Sequence, residues 1–388
     1  MLNVIKVRLP QAAAAACAAA AVALALALAL PAPVSARTVT DDNGDRVEVP
    51  ERIERAVVTN IFPMASAVAV YTGRGDVIVG MHPSSWAAAK SGLLGEVFPE
   101  VLKADHAFMK GASVNLEALM ALEPDVVLVN AADRRTIDML RSAELAAYAV
   151  STTKWDYDAM ATFDAWMATL GNLFPEADPE GAKKAALKAE VERLDTLVRE
   201  RTKDVKAEER PRAMFVVRMD ERQIVTSGKR FFGDYWIREG AGRNVAEGVT
   251  GENANAVVSM EQVYAWDPEV VFLTNFTPVM PEDLLKGDAG KTSGQDWSEV
   301  AAVKTGRVFK MPLGFYRTFT PSAETPFTRL WVAAKLHPER FADVDLALEA
   351  KRFYRNAFGI ELTDRQIEGI LNPGAAAGQG AGTNIRGR

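Results

Sequence analysis

The 388-residue chain contains one cysteine, Cys17, and three histidines, His82, His106 and His337. A single cysteine permits no intrachain disulfide, so packing alone must hold the fold. Three scattered histidines without a matching carboxylate pattern do not make the ligand cage of a resident transition metal. His337, directly before Pro338, reads as a surface or helix-end residue. The GxSxG, HExxH, Walker A and GxGxxG patterns are missing, so the sequence encodes no recognisable nucleophile elbow, zinc-protease helix or phosphate-cradling loop. No long basic tract or clustered basic helix occurs, and the formal charge is −6, which argues against a nucleic-acid partner.

What is present begins with a leader. Lys6 and Arg8 form a positive start, Ala12 to Leu30 is an apolar stretch, and Val34, Ser35 and Ala36 supply small residues for cleavage. This is the tripartite pattern of a secretory signal peptide over residues 1–36, with the mature chain starting near Arg37. The alternative is an uncleaved anchor, because the apolar stretch approaches the roughly 20 residues that span a bilayer; Pro31 and Pro33 favour cleavage. Cleavage would remove Cys17 together with Lys6 and Arg8, leaving 43 basic against 51 acidic residues, a charge of −8. The remaining length exceeds the roughly 250 to 300 residues at which one core splits, so two domains are expected.

One pattern occurs twice. Asn115, Glu117, Pro124 and Asp125 recur as Ser259, Glu261, Pro268 and Glu269, each pair 144 positions apart. Each copy offers a polar cap, an acid in the first helical turn, a proline and then an apolar run, which predicts a short helix feeding a buried parallel strand. A constant offset implies the same unit once per lobe.

Between the copies, Asp178, Pro179 and Glu180 supply a cap, a first-turn proline and an acid, and no further proline appears before Pro211. The reading is one long helix over 178–207, with Ala186, Leu187, Leu194, Leu197 and Val198 as its apolar stripe, serving as a strut of about 40 Å. Short apolar runs at 56–59, 77–80, 126–129 and 148–151 predict strands before the strut, and runs at 213–218, 270–274 and 307–311 predict strands after it. The resulting division is an α/β lobe over 37–177, the strut, a second α/β lobe over 208–345, and C-terminal helices over 346–372. A Gly/Ala-rich tail over 373–388 has too little apolar mass to order itself.

Four passages resemble the periplasmic binding proteins of ABC importers for ferric siderophores, haem and cobalamin. They are VTDDNGDRVEVPERIERAVV (39–58), VNLEALMALEPDVVLV (114–129), GAGRNVAEG (240–248) and WSEVAAVKTGRVFKMP (297–312). The endings LWVAAKLHPERF (330–341) and FYRNAFGIELTDRQIEGIL (353–371) look most like the iron-chelate branch. The resemblance implies two Rossmann-like lobes with parallel sheets joined by one long α-helix, the class III arrangement. It also implies that Glu117 and Glu261 sit on the lobe tips and pair with arginines of a permease dimer. Like charges on two pseudo-symmetric lobes suit a two-fold partner. The simpler alternative is that both acids only favour their own helix dipoles.

Ligands of open α/β sheets bind beyond the carboxyl ends of the strands. On that rule the N-terminal lobe offers Met64, His82, Trp86, Met109 and Lys110, and the C-terminal lobe offers Arg218, Phe231, Phe232, Phe276, Tyr316 and Arg317. Aromatic side chains with arginine and lysine suit a bulky anionic chelate. The expected protein is a monomeric periplasmic receptor that presents a metal chelate, a ferric siderophore first and haem or a corrinoid otherwise, to an ABC permease. It needs no cofactor and no metal site of its own. An exported chelatase-like or hydrolytic enzyme is the competing class, distinguished by turnover where a receptor saturates at one equivalent.

Overall fold

A computed structural model describes residues 36–220, 222–249, 255–286 and 294–378. The leader expected at 1–36 falls outside these residues except for Ala36, as does the tail beyond Gly378. No helix among the described residues is long and apolar enough to cross a membrane.

The chain opens with a hairpin, β1 (Ala36–Thr40) against β2 (Arg46–Pro50), which the sequence reading left out. Buried Asp41 fixes it to the first lobe: one carboxylate oxygen accepts from the Asn43 and Asp45 amides, the other from Arg141 and the Ala149 amide. That lobe holds β3 (Ala56–Val58), β4 (Ile78–Met81), β7 (Val126–Asn130) and β8 (Ala147–Val150) in the order β4-β3-β7-β8, all parallel. A small hairpin, β5 (Met109–Lys110) with β6 (Ser113–Val114), interrupts the run.

The second lobe has β9 (Arg212–Met219), β10 (Ile224–Ser227), β11 (Arg243–Asn244), β12 (Asn255–Val258), β13 (Val270–Leu273) and β14 (Val308–Lys310). Its sheet order is β12-β10-β9-β13-β14, with β11 pairing β9. The heart, β9, β13 and β14, is parallel; β10 runs antiparallel to both β9 and β12, so this sheet is mixed where a parallel one was expected. The reversal is local. Asp220 accepts from the Arg222 and Gln223 amides and turns the chain straight back on itself.

The duplication is physical. Asn115 caps α1 (Leu116–Met120) and Ser259 caps α2 (Met260–Trp266), each accepting from the amide three residues on. Asp125 accepts from the amides of Glu54 and Arg55, and Glu269 from that of Arg212, so the acid after each proline holds the start of its lobe's central strand. Arg55 and Arg212 reach back to carbonyls at the ends of α1 and α2.

The strut, α3, spans Ala182–Thr202, about 32 Å at 1.5 Å per residue, shorter than the 178–207 reading. Gly181, at φ 71°, turns the chain in ahead of the helix, and Asp178 caps from outside by accepting from the Lys183 and Lys184 amides. Leu194 and Val198 are buried and Leu187 and Leu197 partly so, but Ala186 is exposed. Buried Glu190 takes a place on the inner face, paired with Arg193 and Asn356. The strut packs on α4 (Thr325–Leu336) and α5 (Leu346–Phe358), and α6 (Asp364–Leu371) follows.

Candidate functional site

In the C-terminal lobe, three loops leave the carboxyl ends of β9, β13 and β14 and are tied together. Thr274 Oγ1 donates to the Val217 carbonyl, and Thr277 Oγ1 to that of Met219. Asn275 Nδ2 donates to Met311 and Pro312 carbonyls at 2.8 and 2.9 Å. Lys310, buried on β14, directs its ammonium at the carbonyls of Thr274, Thr277 and Val279, at 2.6 to 2.9 Å. A buried cation that spends its hydrogens this way fixes a loop rather than meeting a ligand.

Within this frame several polar atoms are left over. Arg218, next to last in β9, is half-buried, and its guanidinium makes no hydrogen bond or ion pair among the described residues; Nε is fully buried. Tyr316 is 1% exposed, with a hydroxyl that has no hydrogen-bond partner among the described residues. Burial pushes that hydroxyl's pKa up and neighbouring Arg317 pulls it part of the way back, so it remains a neutral donor. Asn275 Oδ1 is likewise buried and has no partner among the described residues. Arg317, 0% exposed, stands 5.5 Å from the Phe276 ring centre and 5.6 Å from that of Tyr316. Its Nη1 donates across the lobe boundary to the Ser84 carbonyl at 3.1 Å. Arg218, Phe276, Tyr316 and Arg317 thus belong to one set of joined loops.

The N-terminal lobe differs more from the sequence reading. Met64 has no exposed surface and belongs to the core, and Met109 packs in a second core cluster under β5, with Lys110 exposed beside it. His82 caps the helix Pro83–Ser91: its Nδ1 accepts from the Ser84 amide at 3.0 Å, so Nε2 carries the proton and faces the Gly111 carbonyl at 3.3 Å. Burial lowers its pKa, only partly offset by that carbonyl. A neutral imidazole with both nitrogens engaged has no lone pair for a metal. Trp86 donates to the Leu102 carbonyl at 3.1 Å and meets His106 edge-on, which assigns both to packing within their lobe. His337 is buried, with Nε2 3.2 Å from the Ala241 carbonyl, rather than on the surface. Among the described residues no group of three His, Cys, Asp or Glu side chains could hold a metal ion.

A second contact between lobes escaped the sequence reading. The loop after β8 places Tyr157 against Phe231 and Phe232, with ring centres 5.3 and 5.4 Å away, and Asp156 pairs with Arg230 at 2.6 Å. Phe231 is half-buried and Phe232 buried; because β10 is antiparallel, they do not leave the sheet beside β9, β13 and β14. Asp156, Tyr157 and Arg230 all have positive φ without being glycine, so the contact holds strained backbone on both sides. A cavity of about 550 Å³ opens here, walled by Trp155, Tyr157, Phe231, Tyr235 and charged neighbours. The run Lys154, Trp155, Asp156, Tyr157 directly after a strand was the available signal. A larger cavity, about 990 Å³, lies elsewhere, between helices of the first lobe and the strut.

Glu117 and Glu261 are both exposed and make no ion pair among the described residues; the Ser259 hydroxyl, followed by the local backbone, lowers the pKa of Glu261.

The sequence pattern of the periplasmic binding protein family matches residues 76–313. The molybdate-binding protein MolA of Haemophilus influenzae is 26% identical over 338 residues, covering 83% of this chain and 91% of its own. A periplasmic solute binding protein from Veillonella parvula superposes with a TM-score of 0.75 at 25% identity, over 89% of this chain and 100% of that one. Helicobacter pylori CeuE, in its nickel–histidine complex, superposes with a TM-score of 0.65 at 20% identity, over 87% and 99%.

Proposed function

Because this chain belongs to the periplasmic binding protein family, whose members bind a solute and deliver it to an ABC permease without catalysing a reaction, we propose that its own solute is an anionic metal complex, a ferric chelate first. The observation that carries this is Arg218: a half-buried guanidinium at the carboxyl end of β9 with no partner among the described residues. Leaving such donors unmet is costly, and an incoming anion accepting from Arg218 and Tyr316 would satisfy them. Phe231 and Tyr157, half-buried at the second contact and linked to buried Phe276 through Phe319, supply apolar surface for an organic shell.

A second reading has its own support. The relative named for molybdate aligns over most of the chain, and the unmatched polar atoms are few and deeply buried, which suits a compact oxyanion. Titration by intrinsic tryptophan fluorescence separates the two. We expect one-to-one saturation by a ferric hydroxamate or catecholate, and Arg218→Ala weakening it by about 1.5 to 3 kcal/mol, roughly 10- to 150-fold. A neutral corrinoid should lose little. Saturation by molybdate alone, weakened to the same extent, would replace the chelate by the oxyanion; equal affinity of wild type and variant for every anion tested would remove Arg218 from the site.

Export through a cleaved leader completes the reading. Arg37 donates to the carbonyls of Asn172 and Leu173 at 2.7 and 2.6 Å, so a mature chain starting at Arg37 keeps this contact. N-terminal sequencing of the periplasmic fraction should find a start near Arg37; full-length protein retained in membranes would contradict it.

A further inference from the structure

The glycine- and alanine-rich stretch after Pro373 has no composition that would order a free chain. Its first residues are nevertheless held in place. Residues Ala375–Gly378 form one 3₁₀ turn, Ala377 is 2% exposed and Gly378 is buried. The Ala377 carbonyl accepts from Arg317 Nε at 3.2 Å. Gly378 lies flat on the loop after β13, where a Cβ would strike the Thr277 carbonyl and stand 2.7 Å from the Pro278 nitrogen. The turn also packs on helix Pro83–Ser91, which begins where β4 ends. Its neighbours therefore come from the carboxyl ends of β4, β13 and β14, in both lobes. Arg317 joins them all, reaching the Ser84 carbonyl with Nη1 and the tail with Nε. At Gly378 no side chain fits, which gives this glycine a physical role.

We propose that the C-terminal segment 373–378 is an internal occupant of the cleft mouth, which ligand must displace and which therefore sets the receptor's apparent affinity. The inference rests on the reading that ligand enters between the lobes near Arg218 and Arg317. A receptor competent only when this segment is released binds with its intrinsic affinity reduced by the released fraction. Releasing the segment permanently should recover that factor.

The test compares the mature full-length protein with Gly378→Val, which cannot seat the turn, and with a chain ending at Pro373. Hydrogen exchange without ligand should show the amides of Ala377 and Gly378 protected in the wild type by at least about tenfold over Gly378→Val. With sodium molybdate and a ferric trihydroxamate as probes, both variants should bind faster and about tenfold more tightly than wild type. Unprotected amides in the wild type would overturn the proposal. Protection with unchanged binding in both variants would overturn it as well, because the segment would then only be packed. If neither probe binds any of the three chains, the ligand reading fails, and the exchange result still decides whether the segment is seated.

Discussion

Cells carrying the receptor with Glu117 and Glu261 both replaced by arginine take up no ligand, while the purified double variant keeps its ligand affinity within about twofold. This is the expected result if the two acids are the contact points for the permease. Both project from first turns capped by other residues, Asn115 and Ser259, so the helices survive the substitution. Neither takes part in an ion pair among the described residues that reversal would break. Their lobes repeat the cap, the acid, the proline and the anchoring carboxylate in one register, an arrangement that would suit a two-fold partner. Radiolabelled uptake alongside fluorescence titration checks it. Normal uptake would return both residues to the role of helix-dipole acids, and lost affinity would move them into the cleft.

A second large effect is expected at Glu324, which is 1% exposed. One carboxyl oxygen accepts from the Phe315 amide and the Tyr354 hydroxyl, and the other has no partner among the described residues. A Cβ on Gly314 would collide with this carboxyl group, so glycine is required there. Glu324 thus anchors the loop that carries Tyr316 and Arg317. Glu324→Ala strands two buried donors and should cost about 2 to 4 kcal/mol.

Burial, the largest influence, raises the Glu324 pKa above 4.5 against the hydrogen bonds that lower it; the facing titratable group, Tyr354, is also pushed up and stays neutral. For an acid raised in the folded state, the stabilising contribution is full below the ordinary glutamate range and is lost as pH rises through the folded value. Glu324→Gln cannot ionise. Urea unfolding from about pH 5 to pH 8 should therefore show wild type losing stability relative to Glu324→Gln as pH rises. Parallel profiles would mean that Glu324 is not a buried neutral acid.

These residues mark the boundary of what the sequence discloses. Asn115 and Ser259 cap the helices assigned to them, and the seven strand runs all lie within or against observed strands, because capping and apolar runs are local properties. The reversal at Asp220 is also locally encoded, by a carboxylate that accepts from the amides two and three residues on. Burial of an acid is another matter. Glu324 meets Tyr354 thirty positions on, and Arg317 meets Ser84 across 233. Nothing near either residue in the chain announces these partners. Met64, His82 and Trp86 follow strands as the topological rule asks, but the rule places a loop and does not say which way its side chains turn.

The strut's attachments are unequal. Along its second half it is clamped to the C-terminal lobe: Arg193 to Glu349, Asp195 to Arg329, and Arg201 to Asp343 at 2.6 Å. Along its first half, residues from Lys183 to Glu192 border the 990 Å³ cavity facing Tyr71, Phe163 and Met167. Mechanically the rod is a handle fixed to one lobe, with clearance beneath the other. The chain passes from the N-terminal lobe into the rod through the turn at 178–181, where Gly181 adopts a left-handed backbone. A few degrees of rotation there would swing the N-terminal lobe as a unit and carry Glu117 through an arc while Glu261 stayed with the handle, so a permease gripping both acids would sense the angle between the lobes.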